Sequence, residues 1–510
     1  MGMSKRILKR LGIDPYELLD RVARKESAIA HLFGILFIYL AVAFVFPFVV
    51  SMIYGEAQRP WLFSLLLTSI TGMILLVRYR SPEYTRPTEA LFVVSFGWLV
   101  VMVLGAIPYV LLGMDVIDAL FEAMSGFTTT GSTIMTDIES WPRSLLFWRS
   151  FSQWLGGAGI IMIFVTIFPM LGVGGRNLFK NEFPGLDVQN FSLRIQEEAR
   201  KFHYIFIVLS TAMLLLLLLT GIGLYDSLLV MFSTMPTGGF SPHAESIAYY
   251  ESPVVEWIVI LFMFLAGTNF YLHFQAFSGR KPWIYRKSEE FRTYLFLGVA
   301  SSLIVSIVLL TDDVYDSLET VRVAAFHVIS LLTSTGFATR DYLFWNPGLI
   351  FLLFTLIIIG SCTGSTAGGL KSARVLMSGK FLYTVMYKLV HPRAIYSTKL
   401  DGRAMNEETM TSVVAVLMAY FATMLVSSIA MMLTGLDPMT SMGAAITTLS
   451  NAGPGIGELG PYGSFGGVPD ATKGILIFNM WAGRLELLSV FVVLTPIFWR
   501  ELLRYRENGK

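Results

Sequence analysis

The sequence predicts an all-α integral membrane protein of four fused repeats around one pore, with two peripheral transmembrane helices ahead of them. Each repeat is a span, a short helix, a glycine turn and a second span. Three observations carry that expectation. The 510 residues are 54% hydrophobic and only 15% charged, with a mean hydropathy of +0.63, where a soluble domain carries about a quarter charged residues. Stretches 90–113, 204–224 and 410–436 hold no charge at all, and each covers the ~20 residues a helix needs to cross the hydrocarbon core. A turn ending in glycine then recurs four times along the chain at a near-constant interval, the mark of an internal repeat.

The elements follow in order. Residues 1–26 carry Lys5, Arg6, Lys9, Arg10, Arg21, Arg24 and Lys25 and read as a retained basic cytoplasmic tail, not a secretory signal. Region 27–80 holds the two peripheral spans, 27–54 and 60–77. Repeat 1 (88–176) has spans 88–112 and 145–171 around the short segment 118–127. Repeat 2 (203–280) has spans 204–224 and 254–275 around 227–234. Repeat 3 (291–380) has spans 294–310 and 349–370 around 323–332. Repeat 4 (405–505) has spans 410–436 and 474–499 around 442–449. That makes ten spans, and four segments too short to cross, of the kind that enter and leave on one side.

Charge orients the chain. Lys and Arg crowd 78–86, 176–201, 280–292, 371–403 and the tail from Arg500, while only Arg59, Arg143, Arg149, Arg322, Arg340 and Lys473 fall on the other side. The basic connections are therefore expected in the cytoplasm, with both termini inside. The outer loops are acidic, with Asp115, Asp118, Asp226, Glu245, Glu251, Glu256, Asp312, Asp313 and Asp316, a distribution that concentrates cations at an outer mouth. Trp141, Trp148, Trp345 and Trp499 read as interface anchors. The single cysteine, Cys362, excludes an internal disulfide. The six histidines form no close pair, the serines and acids no catalytic grouping, and no nucleic-acid footprint is present, so neither an enzyme nor a nucleic-acid partner is indicated.

The four turns are FTTTG-ST, TMPTG-GF, LTSTG-FA and LSNAG-PG, laid over one another at Gly131, Gly238, Gly336 and Gly453. Ahead of the glycines stand Thr129 and Thr130, Pro236 and Thr237, Ser334 and Thr335, and Asn451 and Ala452. Backbone that is not helical survives at membrane depth only when buried in protein or lining a wet cavity. Four such stretches can meet on one axis, with glycine permitting the positive φ that turns carbonyls inward. A ring of carbonyls replaces the water shell of an alkali cation, and the short helices aim their negative C-terminal ends at it. Side chains at the turns can vary because the ligands are main-chain oxygens.

These motifs, FEAMSGFTTTGST, STMPTGGFS, LLTSTGFAT and LSNAGPGIG, resemble those of the Trk/Ktr/HKT superfamily of potassium transporters, and over essentially the whole chain the bacterial TrkH/TrkG type. The resemblance implies a potassium-channel-like fold with K+ as the transported ion and no organic cofactor. It implies potassium uptake across the inner (cytoplasmic) membrane through a selectivity filter of main-chain carbonyls, a homodimer with one pore per subunit, and a cytosolic nucleotide-binding TrkA-type regulatory partner on the basic inner surface. In this family glycine in all four filters goes with potassium selectivity, while serine in the first goes with sodium preference in some plant relatives. Two alternatives stay open: a sodium-permeable or H+- or Na+-coupled symporter of the same fold, and an alternating-access substrate carrier, which usually shows inverted halves.

Two features lie inside the spans. In GSCTGSTAGGLKSAR, Gly360, Gly364, Gly368 and Gly369 crowd together ahead of Lys371, and at about 1 kcal/mol each relative to Ala they cannot sustain a helix. The order Gly369, Leu370, Lys371 misses the phosphate-loop pattern. By resemblance, 360–369 is an intramembrane gate loop under the filter. Arg484 lies within the last span, where a charge is costly and points to function. Glu486, two residues on, lies on another helix face. The sharper reading is a positive charge below the filter that holds the loop shut, the role the resemblance also implies. A structural arginine bonded to neighbouring carbonyls is the plainer one.

Overall fold

The computed structural model describes residues 25–80, 86–167, 191–279, 282–393 and 397–508. The basic tail before residue 25 lies outside the described residues, as do most of the 176–201 connection and part of the 78–86 one.

Two helices, α1 (Ala28–Ile53) and α2 (Arg59–Arg78), pack as an antiparallel pair with Gly34 and Gly72 at their crossing. Such small residues allow close backbone approach in lipid. Their outer faces stay apolar and uncovered, Phe46, Ile53, Phe63, Ile70 and Met73 being exposed, so the pair is peripheral.

Repeat 1 is α3 (Pro87–Leu111), α4 (Val116–Phe127) and α5 (Arg143–Ile167). Repeat 2 is α6 (Phe191–Leu219), α7 (Leu224–Thr234), α8 (Pro253–Ala266) and α9 (Phe270–Ser278). After the short α10 (Ile284–Lys287), repeat 3 is α11 (Glu289–Thr311), α12 (Ser317–Leu332), α13 (Pro347–Ile359) and α14 (Ser372–Val390). Repeat 4 is α15 (Glu407–Leu433), α16 (Pro438–Leu449), α17 (Asp470–Arg484), α18 (Leu488–Leu494) and α19 (Pro496–Asn508). The short helices α4, α7, α12 and α16 are the buried ones, each ending at a glycine turn, as the sequence predicts. A two-residue hairpin, Lys399–Leu400 against Arg403–Ala404, joins repeats 3 and 4.

Three of the ten expected spans are not single helices. The segment expected at 254–275 breaks between α8 and α9 with a bend of 97°, and that at 474–499 breaks between α17 and α18 with a bend of 115°. The segment 349–370 stops as helix at Ile359, where Gly360 takes φ +71. Among the described residues six helices are long and apolar enough to cross alone, or eight if each bent pair is one span. Trp148 and Trp345 are not interface anchors. Trp148 is fully buried and donates Nε1–H to the Gly105 carbonyl at 3.1 Å, and Trp345 is also buried.

Candidate filter and intramembrane loop

The four turns share one backbone conformation. Positive φ falls at two residues separated by one: Thr129 and Gly131, Thr237 and Gly239, Ser334 and Gly336, Asn451 and Gly453. The hydrogen bonds repeat as well. Thr130 N–H donates to Ser125 O at 2.9 Å, and Gly238 to Ser233, Thr335 to Ser330 and Ala452 to Thr447, each at 2.8 Å. The register of repeat 2 is therefore one residue later than the sequence alignment has it. Gly239, not Gly238, matches Gly131, Gly336 and Gly453, and Pro236 falls level with Thr128. The motif reads Thr-Gly-Gly, so either glycine satisfies the pattern until the main-chain bonds are seen.

With that register the turns close into a ring. A Cβ on Gly131 would stand 2.2 Å from the Gly238 carbonyl oxygen, one on Gly239 1.8 Å from Thr335 O, one on Gly336 2.4 Å from Ala452 O, and one on Gly453 3.0 Å from Thr130 O. Each glycine thus abuts the carbonyl that precedes the next repeat's glycine, and the fourth returns to the first. A Cβ at Gly131, Gly239 or Gly336 would overlap the facing oxygen, the Gly453 contact is tight, and positive φ is strained for any residue with a side chain. Above the ring lies a vestibule lined by Gly131, Gly239, Gly336 and Gly453, with Ser132, His243 and Tyr462 at its wall.

Hydroxyls of the turns bond within their own repeats and between repeats. Thr130 and Thr335 bond to Thr128 and Thr333 at 2.8 and 2.7 Å, and Asn451 Nδ2 donates to Thr130 Oγ1 at 2.9 Å. Behind repeat 1, Glu122 on α4 is fully buried against Arg149 on α5 at 2.5 Å, and it accepts from Thr133 Oγ1 and Ile134 N–H. Arg149 also donates to Ser241 O at 2.7 Å and lies 3.7 Å over the Phe240 ring. Sequence reading placed Arg149 among the outer charges and passed over Glu122; an acid in the interior of a short apolar helix, one turn past Asp118, was the available signal. His327 holds the matching place in repeat 3, its Nε2 within 3.4 Å of the Thr339 and Arg340 amides.

The loop between α13 and α14 lies against the ends of the short helices, at Met235, Ser334 and Ser450. It leaves and returns at Gly360 and Gly369, whose backbones are so close that a Cβ on Gly369 would stand 3.0 Å from Gly360 Cα. Its contacts reach three repeats. Thr366 Oγ1 donates to Met235 O at 3.1 Å, Gly368 N–H to Ser334 Oγ at 2.6 Å, and Gly369 N–H to Ser450 O at 3.1 Å. Gly364 O accepts from Phe270 N–H at the break in repeat 2, and Lys371, at φ +72, turns its Nζ back to Ala367 O. Buried Glu290 on α11 accepts from the Thr363 amide.

Arg484 is buried at the C-terminal end of α17. Its Nη1 donates to Thr366 O at 3.1 Å and its Nη2 to Gly156 O on α5 at 3.4 Å, while Nε has no hydrogen-bond partner among the described residues. It therefore joins repeats 4, 3 and 1 beneath the turns. Glu486 does not pair with it; past the helix end, at φ +57, that carboxylate pairs with Arg374 on α14. The structure thus brings together all four turns, the glycine loop and Arg484.

The family model TrkH, described as a cation transport protein, matches residues 62–499. The Trk system potassium uptake protein TrkH of Salmonella typhimurium (strain LT2) is 37% identical over 93% of this chain and 99% of its own length. The Trk system potassium uptake protein TrkG of Escherichia coli (strain K12) is 30% identical over 92% and 98%. The crystal structure of the potassium transporter TrkH from Vibrio parahaemolyticus superposes with a TM-score of 0.84 at 32% identity, covering 93% of this chain and 99% of that one.

Proposed function

Because the chain belongs to the TrkH family of cation transport proteins, we propose that it takes up potassium as the ion-translocating subunit of a Trk-type system. The relatives named above are potassium uptake proteins and transporters. The observation that carries the reading is the closed ring, in which Gly131, Gly239, Gly336 and Gly453 each abut the carbonyl of Gly238, Thr335, Ala452 or Thr130. Oxygens held at equivalent places around one axis can exchange for the water of a bare cation. A carrier of two inverted halves would pair its segments two by two, whereas this ring runs through the repeats in chain order.

On this reading K+ is the transported ion, and the ligands are main-chain oxygens of residues 129–131, 237–239, 334–336 and 451–453. The 360–369 loop, with Lys371 and Arg484, is the gate. The buried guanidinium raises the barrier to cations under the ring and, by holding Thr366 O, keeps the loop closed. The assembly is a homodimer in the inner membrane with both termini in the cytoplasm. Nucleotide control comes from a TrkA-type partner docked on the basic inner surface.

The test is growth. In a bacterium deleted for its potassium uptake systems, expression of this chain with a TrkA-type subunit restores growth at low potassium. Protein present in the membrane without rescue would overturn the assignment.

A further inference from the structure

The ring is equivalent in its main chain but not in what stands behind it. In repeats 1 and 3 the residue before the glycine is Thr130 or Thr335, whose hydroxyl bonds to Thr128 or Thr333. Repeat 2 has Gly238 and Pro236 at those places, so neither hydroxyl exists. A residue from another repeat fills the gap. Gln153 on α5, fully buried, donates Nε2–H to the Gly238 carbonyl at 2.7 Å and accepts the Phe240 N–H on Oε1 at 3.1 Å. A Cβ on Gly238 would stand 2.5 Å from Gln153 Cδ, so the amide occupies the volume where the threonine side chain sits in repeats 1 and 3. Arg149, one turn earlier on the same helix face, holds Ser241 O. Helix α5 therefore braces the second turn from residue 238 to residue 241.

We infer that Gln153 is a positioning residue for the ring, fixing the Gly238 carbonyl and with it the discrimination between potassium and sodium. The inference rests on the transport reading above, and the physical step beyond it is short. Gly238 O is one of the four ring oxygens that abut a neighbouring glycine, and Gln153 is the side chain that hydrogen-bonds it. A donor on that oxygen restricts its direction and draws off part of its negative charge. Both effects oppose collapse of the ring around a smaller, more strongly attracting ion, because selectivity depends on the geometry and field strength of the carbonyls. The N–H groups of Gly238 and Gly239 are held by Ser233 O at 2.8 and 3.3 Å, but among the described residues Gln153 alone hydrogen-bonds the Gly238 carbonyl.

The test uses the full chain in proteoliposomes, with Rb+ uptake as readout and K+ and Na+ as competitors. Gln153→Leu removes both hydrogen bonds. Gln153→Glu keeps the shape and the acceptor but places an oxygen against the Gly238 carbonyl. In each, the preference for K+ over Na+ falls by about fivefold or more, the scale set by one buried hydrogen bond, while the purified protein stays monodisperse. Gly238→Ala also loses preference because its methyl meets the amide, and in a Gln153→Ala background the same change costs nothing further. A preference equal to wild type in both Gln153→Leu and Gln153→Glu would overturn the inference, as would a Gly238→Ala effect independent of residue 153. Absence of Rb+ uptake by wild-type vesicles is a separate result, and it would sink the transport reading instead.

Discussion

Arg484 Nη1 donates to the carbonyl of Thr366 at 3.1 Å, tying the last repeat to the intramembrane loop of the third. A buried guanidinium is an expensive way to fasten a loop in a membrane protein, which makes its removal informative. Replacing Arg484 by Ala frees the Thr366 carbonyl and removes the positive charge below the ring. Rb+ flux into reconstituted vesicles is expected to rise severalfold, and deleting residues within 364–369 should do the same. Unchanged flux in both variants contradicts the gate assignment.

Glu290 holds the other side of that loop through the Thr363 amide. Glu290→Ala is expected to raise basal flux in the same direction as Arg484→Ala. Since both changes loosen one loop, the double variant should gain less than the two single gains combined. Strict additivity in flux measurements would place the two residues in separate mechanisms.

The register of the second turn has its own test. Gly239 takes φ +77, and a Cβ there would stand 1.8 Å from the Thr335 carbonyl oxygen. Gly239→Ala is expected to abolish uptake in the growth assay. Gly379→Ala on α14, where an added Cβ meets nothing within 4 Å, should leave uptake intact. Retained growth on Gly239→Ala would show that this position does not form the ring.

The pair of Glu122 and Arg149 is a stability element. Both side chains are buried, and removing one partner of a buried pair costs about 3–5 kcal/mol through the charge left behind. Arg149→Met is expected to lower the unfolding temperature of the detergent-purified protein. Adding Glu122→Gln should return part of that loss, which a thermal melt of the three variants would read.

Much of this fold was legible because hydropathy and glycine speak directly to membrane physics. The short helices α4, α7, α12 and α16 end within a residue or two of where the apolar segments and turns placed them. The non-helical stretch between α13 and α14 was legible for the same reason, its glycines being incompatible with helix. What escaped depends on partners distant in sequence. The breaks at 267–269 and 485–487 lie inside segments long enough to read as single spans, and neighbouring segments hold the freed backbone, as Cys362 N–H does for Gly267 O. Asn269, which caps α9 through its own side chain, was the local hint. Nothing local to Gln153 or Glu122 marks their partners, which lie 85 and 27 residues away.

The claim on which the rest depends is that cations occupy the axis between the carbonyls of Thr130, Gly238, Thr335 and Ala452. Crystals of the protein grown in Rb+ and measured at the rubidium absorption edge test it most directly. The account predicts anomalous density centred among those four oxygens and lost when Gly239 is replaced by Ala. Anomalous density absent there in protein that still carries Rb+ flux, or located away from all four turns, would contradict it.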